Sequence, residues 1–215
     1  TVRRSHDQAA GRGPLDLVSA WARRQHLVLG QVATDEKSNE ITAIPALLTV
    51  LDLTGCIVTI DAMGCQTEIA AQIRAKQADY VLALKDNQET LHDLVAYHFA
   101  LPATALPEET CRTLGKNHGR IEVRTCRVTD DPALLAWLDP DQRWPDLRSI
   151  VAVTGERHIR DQATSETRYY LSSLPADATR ILQAVRGHWG IENRLHWVLD
   201  LAFREDECRV RVGHA

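Results

Sequence analysis

The 215-residue sequence has no CxxC pair; its five cysteines, Cys56, Cys65, Cys111, Cys126 and Cys208, are odd in number and widely spaced. That spacing argues against a thiolate zinc site or a redox couple and suits a reducing cytosol. No apolar run approaches the roughly 20 residues of a membrane span, because the longest, such as residues 46–53, are interrupted by Thr49 and Asp52. A transmembrane helix is therefore excluded. Positive charge is not in excess either: 25 Lys and Arg face 29 Asp and Glu, a formal net charge of −4. Any nucleic-acid site must then be a local patch. There is no internal repeat and no low-complexity tract. Neither an initiator Met nor a signal peptide is present, and the polar, basic stretch 1–7 reads as the start of a piece of a longer protein.

What is present is the balance of an ordinary globular chain, with 44% hydrophobic and 25% charged residues. A chain of this size forms one large domain, or one domain carrying an insertion. Residues 15–22 and 27–34 are short Leu/Val/Ala-rich runs around the basic cluster Arg23, Arg24, Gln25 and His26, and predict an antiparallel hairpin. Ile44, Leu47, Leu48 and Leu51 recur at helical spacing and predict a helix over 41–53, with Pro45 tolerated near its first turn. The β-branched run 56–60 predicts a central strand buried on both faces, ending at Asp61. A helix over 67–77 follows, N-capped by Thr67, then a strand over 79–84 that delivers Lys85, then a helix from about 88 to 98 capped by Asp86 or Asn87. Strand, helix, strand, helix implies a parallel pair with a crossover connection.

Beyond residue 101 the pattern turns mostly β. Runs at 121–128, 150–154 and 167–171 surround a short helical segment, 132–138, and suggest an inserted subdomain over about 101–176. Residues 177–199 carry a long amphipathic helix pattern, interrupted by Gly187 and Gly190.

Two constellations point to chemistry. Asp61 stands where a rigid strand ends, and Ala62, Met63, Gly64 and Cys65 after it leave room for an ion or a phosphate. A plain strand-terminating turn residue is the alternative. In the second constellation His188, Glu192 and His196 fall four residues apart, on one helix face, beside Trp189 and Trp197. Zinc ligation is one reading of that spacing, although the familiar two-histidine helix motif sets its Glu next to the first His; core tryptophans beside half-exposed histidines is another.

Residues 59–66, the run Tyr80-Val81-Leu82-Ala83-Leu84-Lys85-Asp86-Asn87-Gln88, residues 118–124, and residues 186–197 with 203–206 together resemble the H-repeat-associated family of insertion-sequence transposases. These are DDE enzymes with an RNase H-like core, and the likeness spans nearly the whole chain. The resemblance implies an α/β fold, a mixed sheet flanked by helices, with the β-rich insertion preceding the last long helix. It implies that Asp61 is the second metal-binding carboxylate and Glu192 the third. The family's first Asp would fall just before residue 1, so this piece is expected to be inactive or strongly impaired. The broader superfamily signature around the third acid is not kept: its Tyr, Arg and Lys positions hold Val185, His188 and Leu199.

Phosphodiester cleavage suits these residue types. Two Mg²⁺ ions about 3.5–4 Å apart activate the attacking oxygen and stabilise the leaving one, and Mg²⁺ prefers oxygen ligands. Mg²⁺ or Mn²⁺ is the expected cofactor. DNA is the expected partner, with a possible homodimer holding two element ends and no membrane association, in a bacterial cytoplasmic, nucleoid-associated setting. Lys85, His118, Arg120, Arg124, Arg186 and His188 are the candidate DNA contacts, with Arg120 and Arg124 on one strand face because side chains alternate. A solvated loop lysine and a surface charge ladder through Glu122 are the bland alternatives. A non-catalytic, decayed-element binding module is the rival function.

Overall fold

The computed structural model describes residues 16–34, 40–101, 107–117, 120–160, 162–191, 195, 197–202, 204 and 207. In chain order the elements are β1 (Leu17–Ala22), β2 (Leu27–Ala33), α1 (Glu40–Val50), β3 (Ile57–Ile60), α2 (Thr67–Ala75), β4 (Asp79–Leu84), α3 (Glu89–Ala100), β5 (Glu109–Asn117), β6 (Arg120–Thr129), α4 (Pro132–Leu138), β7 (Ser149–Ile159), β8 (Gln162–Ser172), α5 (Ala178–His188) and α6 (Trp197–Leu201). They fall into two compact units, residues 53–185 and residues 1–52 with 186–215.

In the smaller unit β1 and β2 form a two-stranded antiparallel sheet on which α1 packs through Ala43, Ile44, Leu47 and Leu48. A Cβ on Gly30 would lie 3.1 Å from the Leu47 side chain, so the glycine in β2 lets helix and hairpin approach closely. Pro45 lies inside α1; burial of the residues on either side of it holds the helix together despite the lost backbone donor.

The larger unit is built on a six-stranded mixed sheet of order β3-β4-β8-β7-β6-β5. Only β3 and β4 run parallel, joined by the crossover helix α2; the remaining pairs are antiparallel. This is the α/β architecture of a mixed sheet flanked by helices that an RNase H-like DDE transposase has. One face packs Val81, Cys126, Val128, Val151, Val153 and Tyr170 under Ala178, Ile181, Leu182 and Val185 of α5. On the opposite face α3 covers β7 and β8, with the Phe99 ring stacked on Tyr169 at 6.2 Å. Where β4 meets β8, Ser172 and Ser173 bridge the strands: Ser172 Oγ donates to the Tyr80 carbonyl (3.1 Å) and Ser173 Oγ to Asp79 Oδ1 (2.9 Å).

The covering helices are shorter than the strands beneath them. An 11-residue helix such as α5 is about 16 Å long, whereas the 11-residue β7 extends roughly 36 Å. Residues 149–153 of β7 are accordingly buried, and burial falls away from Thr154 onward. The distal halves of β5 to β8 project beyond both helices.

Three expectations change. The run ending at Asp61 is an edge strand of the described sheet, half-buried at all four positions, rather than a central one. A further strand, β5, precedes the three expected in the β-rich region. The C-terminal helical pattern divides: α5 ends at His188 and Trp189 is a turn residue, as the poor helix propensity of Gly187 and Gly190 favours.

Candidate active site

Because β3 and β4 are parallel, their carboxyl ends share one edge of the sheet. Asp61 follows the last residue of β3 and Lys85 the last residue of β4. Asp61 is exposed, and its Oδ1 accepts hydrogen bonds from the backbone N–H groups of Met63 (3.2 Å) and Gly64 (3.4 Å). This Asx-type turn makes the carboxylate orient itself with its own loop. Oδ2 receives no hydrogen bond from the described residues.

The loop is tied down from the neighbouring strand end. Asn87 Nδ2 donates to the carbonyl of Ala62 at 2.6 Å and to that of Cys65 at 3.5 Å, and Gln88 Nε2 donates to the Cys65 carbonyl at 3.1 Å. Asn87 lies in a short 3-10 turn, Asp86–Gln88, that leads into α3 and makes no side-chain cap bond there. The sequence predicts capping by Asp86 or Asn87; the Asn87 amide instead grips the Asp61 loop. The signal for this is two adjacent carboxamides directly after a strand end, residues able to bond stray backbone carbonyls. Thr67 likewise is not the cap of α2, whose N-cap is Gln66 without a side-chain bond. Beneath the loop Cys65 is fully buried, and burial pushes its thiol up to about 12.

Lys85 is exposed. Arg120 and Arg124 share one face of β6, as alternation predicts, and both are engaged by Glu122 between them. Arg124 Nη2 bonds Glu122 Oε2 at 2.5 Å, and Arg120 Nε lies 3.0 Å from Oε1 as an ion pair without a well-aligned hydrogen bond. Burial acts to raise the Glu122 carboxyl, but the Arg124 hydrogen bond and the charges of Arg124, Arg120 and Arg157 outweigh it and hold the group below its usual range.

Arg186 and His188 belong to the other unit, at the end of α5. Arg186 is exposed, and the His188 ring meets Trp189 edge-on at 5.7 Å. Between those two residues a Cβ on Gly187 would come within 2.6 Å of the Arg23 side chain, so the hairpin turn and this helix end meet where only glycine fits without adjustment. Glu192 and His118, and with them His196, lie outside the described residues.

Among the described residues no three His, Cys, Asp or Glu side chains gather as a metal group. Asp61 nonetheless fits a hard divalent cation: it is an exposed, loop-pinned carboxylate with one oxygen that the described residues leave uncommitted.

The family profile described as "Transposase DDE domain" matches residues 1–215. The H repeat-associated putative transposase YhhI of Escherichia coli K12 is 40% identical over 220 residues, covering 100% of this chain and 58% of that protein. The putative protein YbfL of the same strain matches with the same identity and coverage. A Xanthobacter autotrophicus protein described as an uncharacterized protein in the dhlA 3′ region is 43% identical over 177 residues, 82% of this chain and 59% of its own length. The chain thus spans a little under three fifths of the relatives it matches. It belongs to the transposase DDE domain family.

Proposed function

We propose that this chain is the catalytic portion of a transposase that cleaves DNA at insertion-element ends and joins those ends to target DNA, with Mg²⁺ or Mn²⁺ as cofactor. The observation that carries the reading is Asp61, a carboxylate at the carboxyl end of β3 whose loop is gripped by Asn87 and Gln88, in a chain of the DDE family. Asp61 and Glu192 are the proposed metal-holding pair. Bound divalent cations would supply activation of the attacking oxygen and stabilisation of the departing one. The protein's part is orientation: the N–H groups of Met63 and Gly64 fix one oxygen of Asp61 and leave the other for the ion. Lys85, His118, Arg120, Arg124, Arg186 and His188 are the proposed contacts to DNA phosphates.

The segment from about 101 to 176 is proposed as an insertion into an RNase H-like core spanning residues 1–215. In the parent protein a homodimer would hold two element ends together in the bacterial cytoplasm.

The test is a nicking assay of the parent protein on element-end DNA in Mg²⁺, comparing Asp61→Asn and Glu192→Gln with the unaltered protein. Loss of cleavage with retained DNA affinity is the expected result. Undiminished cleavage by either variant removes that residue from the site, and absence of cleavage by the unaltered parent favours the non-catalytic module.

A further inference from the structure

The face of the sheet under α5 continues past the helix into a charged strip. Glu122 of β6 pairs with Arg157 of β7 in the antiparallel register, and the two side chains form an ion pair at 3.7 Å, which puts them on the same face. The β7–β8 register sets Gly155 against Glu166 and Val153 against Arg168, so Arg157, Glu166 and Arg168 share that face too. Arg168 grips Glu166 with two bonds, 2.9 and 3.1 Å. In the β4–β8 register Leu84 faces Tyr169, so the next residue, Lys85, falls beside Arg168. The Glu166 carboxyl is held below its usual range first by the Arg168 hydrogen bond, with the charges of Arg168, Lys85 and Arg157 adding to it. Lys85, Arg168, Arg157, Arg124 and Arg120 therefore form one array, with Glu122 and Glu166 the only carboxylates among them in the described residues.

Exposure decides which groups meet solvent. Arg157, Arg168 and Arg120 side chains are 55%, 40% and 40% exposed, while Glu122 is 17% exposed. Glu122 sits beneath the guanidiniums as a splint, whereas Glu166, 66% exposed, stands in the outer layer among the cations, which outnumber it there. The strip begins at the sheet end where Asp61 emerges and runs diagonally over β4, β8, β7 and β6: three strand spacings, roughly 14 Å, across the strands, and six residues, about 20 Å, along them from the register position of Lys85 to Arg120. The diagonal of about 24 Å covers about seven steps of a DNA strand at 3.4 Å each. A chain whose formal net charge is −4 has no general attraction for a polyanion, so a local cationic strip of this kind is what it needs to hold one.

We infer that Arg157 and Arg168 join Lys85, Arg120 and Arg124 in a single surface that takes the phosphate backbone of duplex DNA and leads it toward Asp61. This rests on the transposase reading above and adds two residues and a path to it. Arginine, held in a fixed plane by a carboxylate splint, suits phosphate oxygens better than a free ammonium does.

The experiment measures binding of the 215-residue chain to a fluorescent duplex of mixed sequence by anisotropy, from 50 to 250 mM KCl. The double variant Arg157→Ala/Arg168→Ala is expected to bind more weakly at low salt, and the slope of log K against log [KCl] should become shallower by roughly 1.8, about 0.9 for each phosphate no longer neutralised. Arg157→Lys/Arg168→Lys should restore most of the slope, which a purely structural role would not predict. Arg143→Ala/Arg180→Ala should leave it unchanged. A double alanine variant that keeps the full slope overturns this inference and leaves the transposase reading standing. Absence of salt-dependent binding by the unaltered chain overturns the strip and counts against DNA as this chain's partner.

Discussion

Asn87 Nδ2 donates to the carbonyl oxygen of Ala62 across 2.6 Å, tying the turn after β4 to the loop that begins with Asp61. The bond sets the height of that loop, since the backbone N–H groups that orient the carboxylate follow within two residues. Asn87→Ala removes a support that never touches the reacting atoms. On the metal-holding role proposed for Asp61, we expect the parent protein's nicking rate to fall by about 10–100-fold, the usual cost of losing an outer partner of a metal ligand, with DNA affinity within twofold of the original. Asn87→Asp should be at least as damaging, because a carboxylate cannot donate to Ala62. Unchanged cleavage by both variants would mean that the Asp61 loop holds its position without Asn87.

How far these features can be read in the sequence depends on what each residue is asked to do. The hairpin β1–β2 and the parallel pair β3–β4 follow from short apolar runs and their punctuation, which are local signals. A four-residue apolar run is the same whether its strand has one neighbour or two, so residues 57–60 do not tell an edge from a centre. β5 escapes because an edge strand exposed along most of its length has no side to keep apolar; Glu109, Arg112, Gly115 and Lys116 carry no period of two. Asp61 is legible because a carboxylate ending an apolar run is conspicuous. Asn87 reads as a cap from its local sequence because its true partner lies 25 residues away. Arg157 and Arg168 emerge as neighbours of Arg124 only once strand register is known.

Ser172 tests the joint between β4 and β8. It is fully buried, donates to the Tyr80 carbonyl and accepts from the Leu174 N–H at 3.0 Å. Ser172→Ala leaves both backbone groups without that partner in the core, and the expected loss is about 1–3 kcal/mol of unfolding free energy, read as a lower denaturant midpoint at unchanged m. Thr154→Ala breaks the Thr154–Thr167 hydroxyl pair on the projecting, solvent-bathed part of the sheet and should change stability by less than about 0.5 kcal/mol. Equal effects from the two substitutions would contradict the division between covered and projecting sheet.

The cysteines should separate by environment. Cys56 is exposed, whereas Cys65 and Cys126 are buried and burial pushes each thiol up to about 12. At pH 8 such a group is thiolate in roughly 1 molecule in 10,000, and the thiolate is the nucleophile. Treatment of the folded chain with a thiol-specific disulfide reagent, followed by peptide mapping, should therefore label Cys56 within minutes and spare Cys65 and Cys126 until denaturant is added. Early labelling of Cys65 would mean that the loop after Asp61 opens readily in solution.

His98 gives the fold a definable pH dependence. It is buried on α3 against the Phe99 ring at 4.9 Å, and its Nε2, 3.7 Å from Glu108 Oε1, makes no hydrogen bond. Glu108 is already committed to Arg127, which bonds it at 2.6 and 2.8 Å and also donates to the Phe99 carbonyl at 2.7 Å. Burial lowers the pKa of His98; Glu108 and Asp131 oppose that shift and Arg127 reinforces it, leaving the imidazole below its ordinary 6.5. The unfolded chain then binds a proton that the folded chain refuses, so the His98 contribution is present above about pH 6.5 and is lost as pH falls toward the depressed folded value. Melting temperature should decline between pH 7.5 and 5.5, and His98→Gln, which cannot titrate, should flatten that decline. Curves that keep the same slope in both proteins would assign the acid sensitivity to another group.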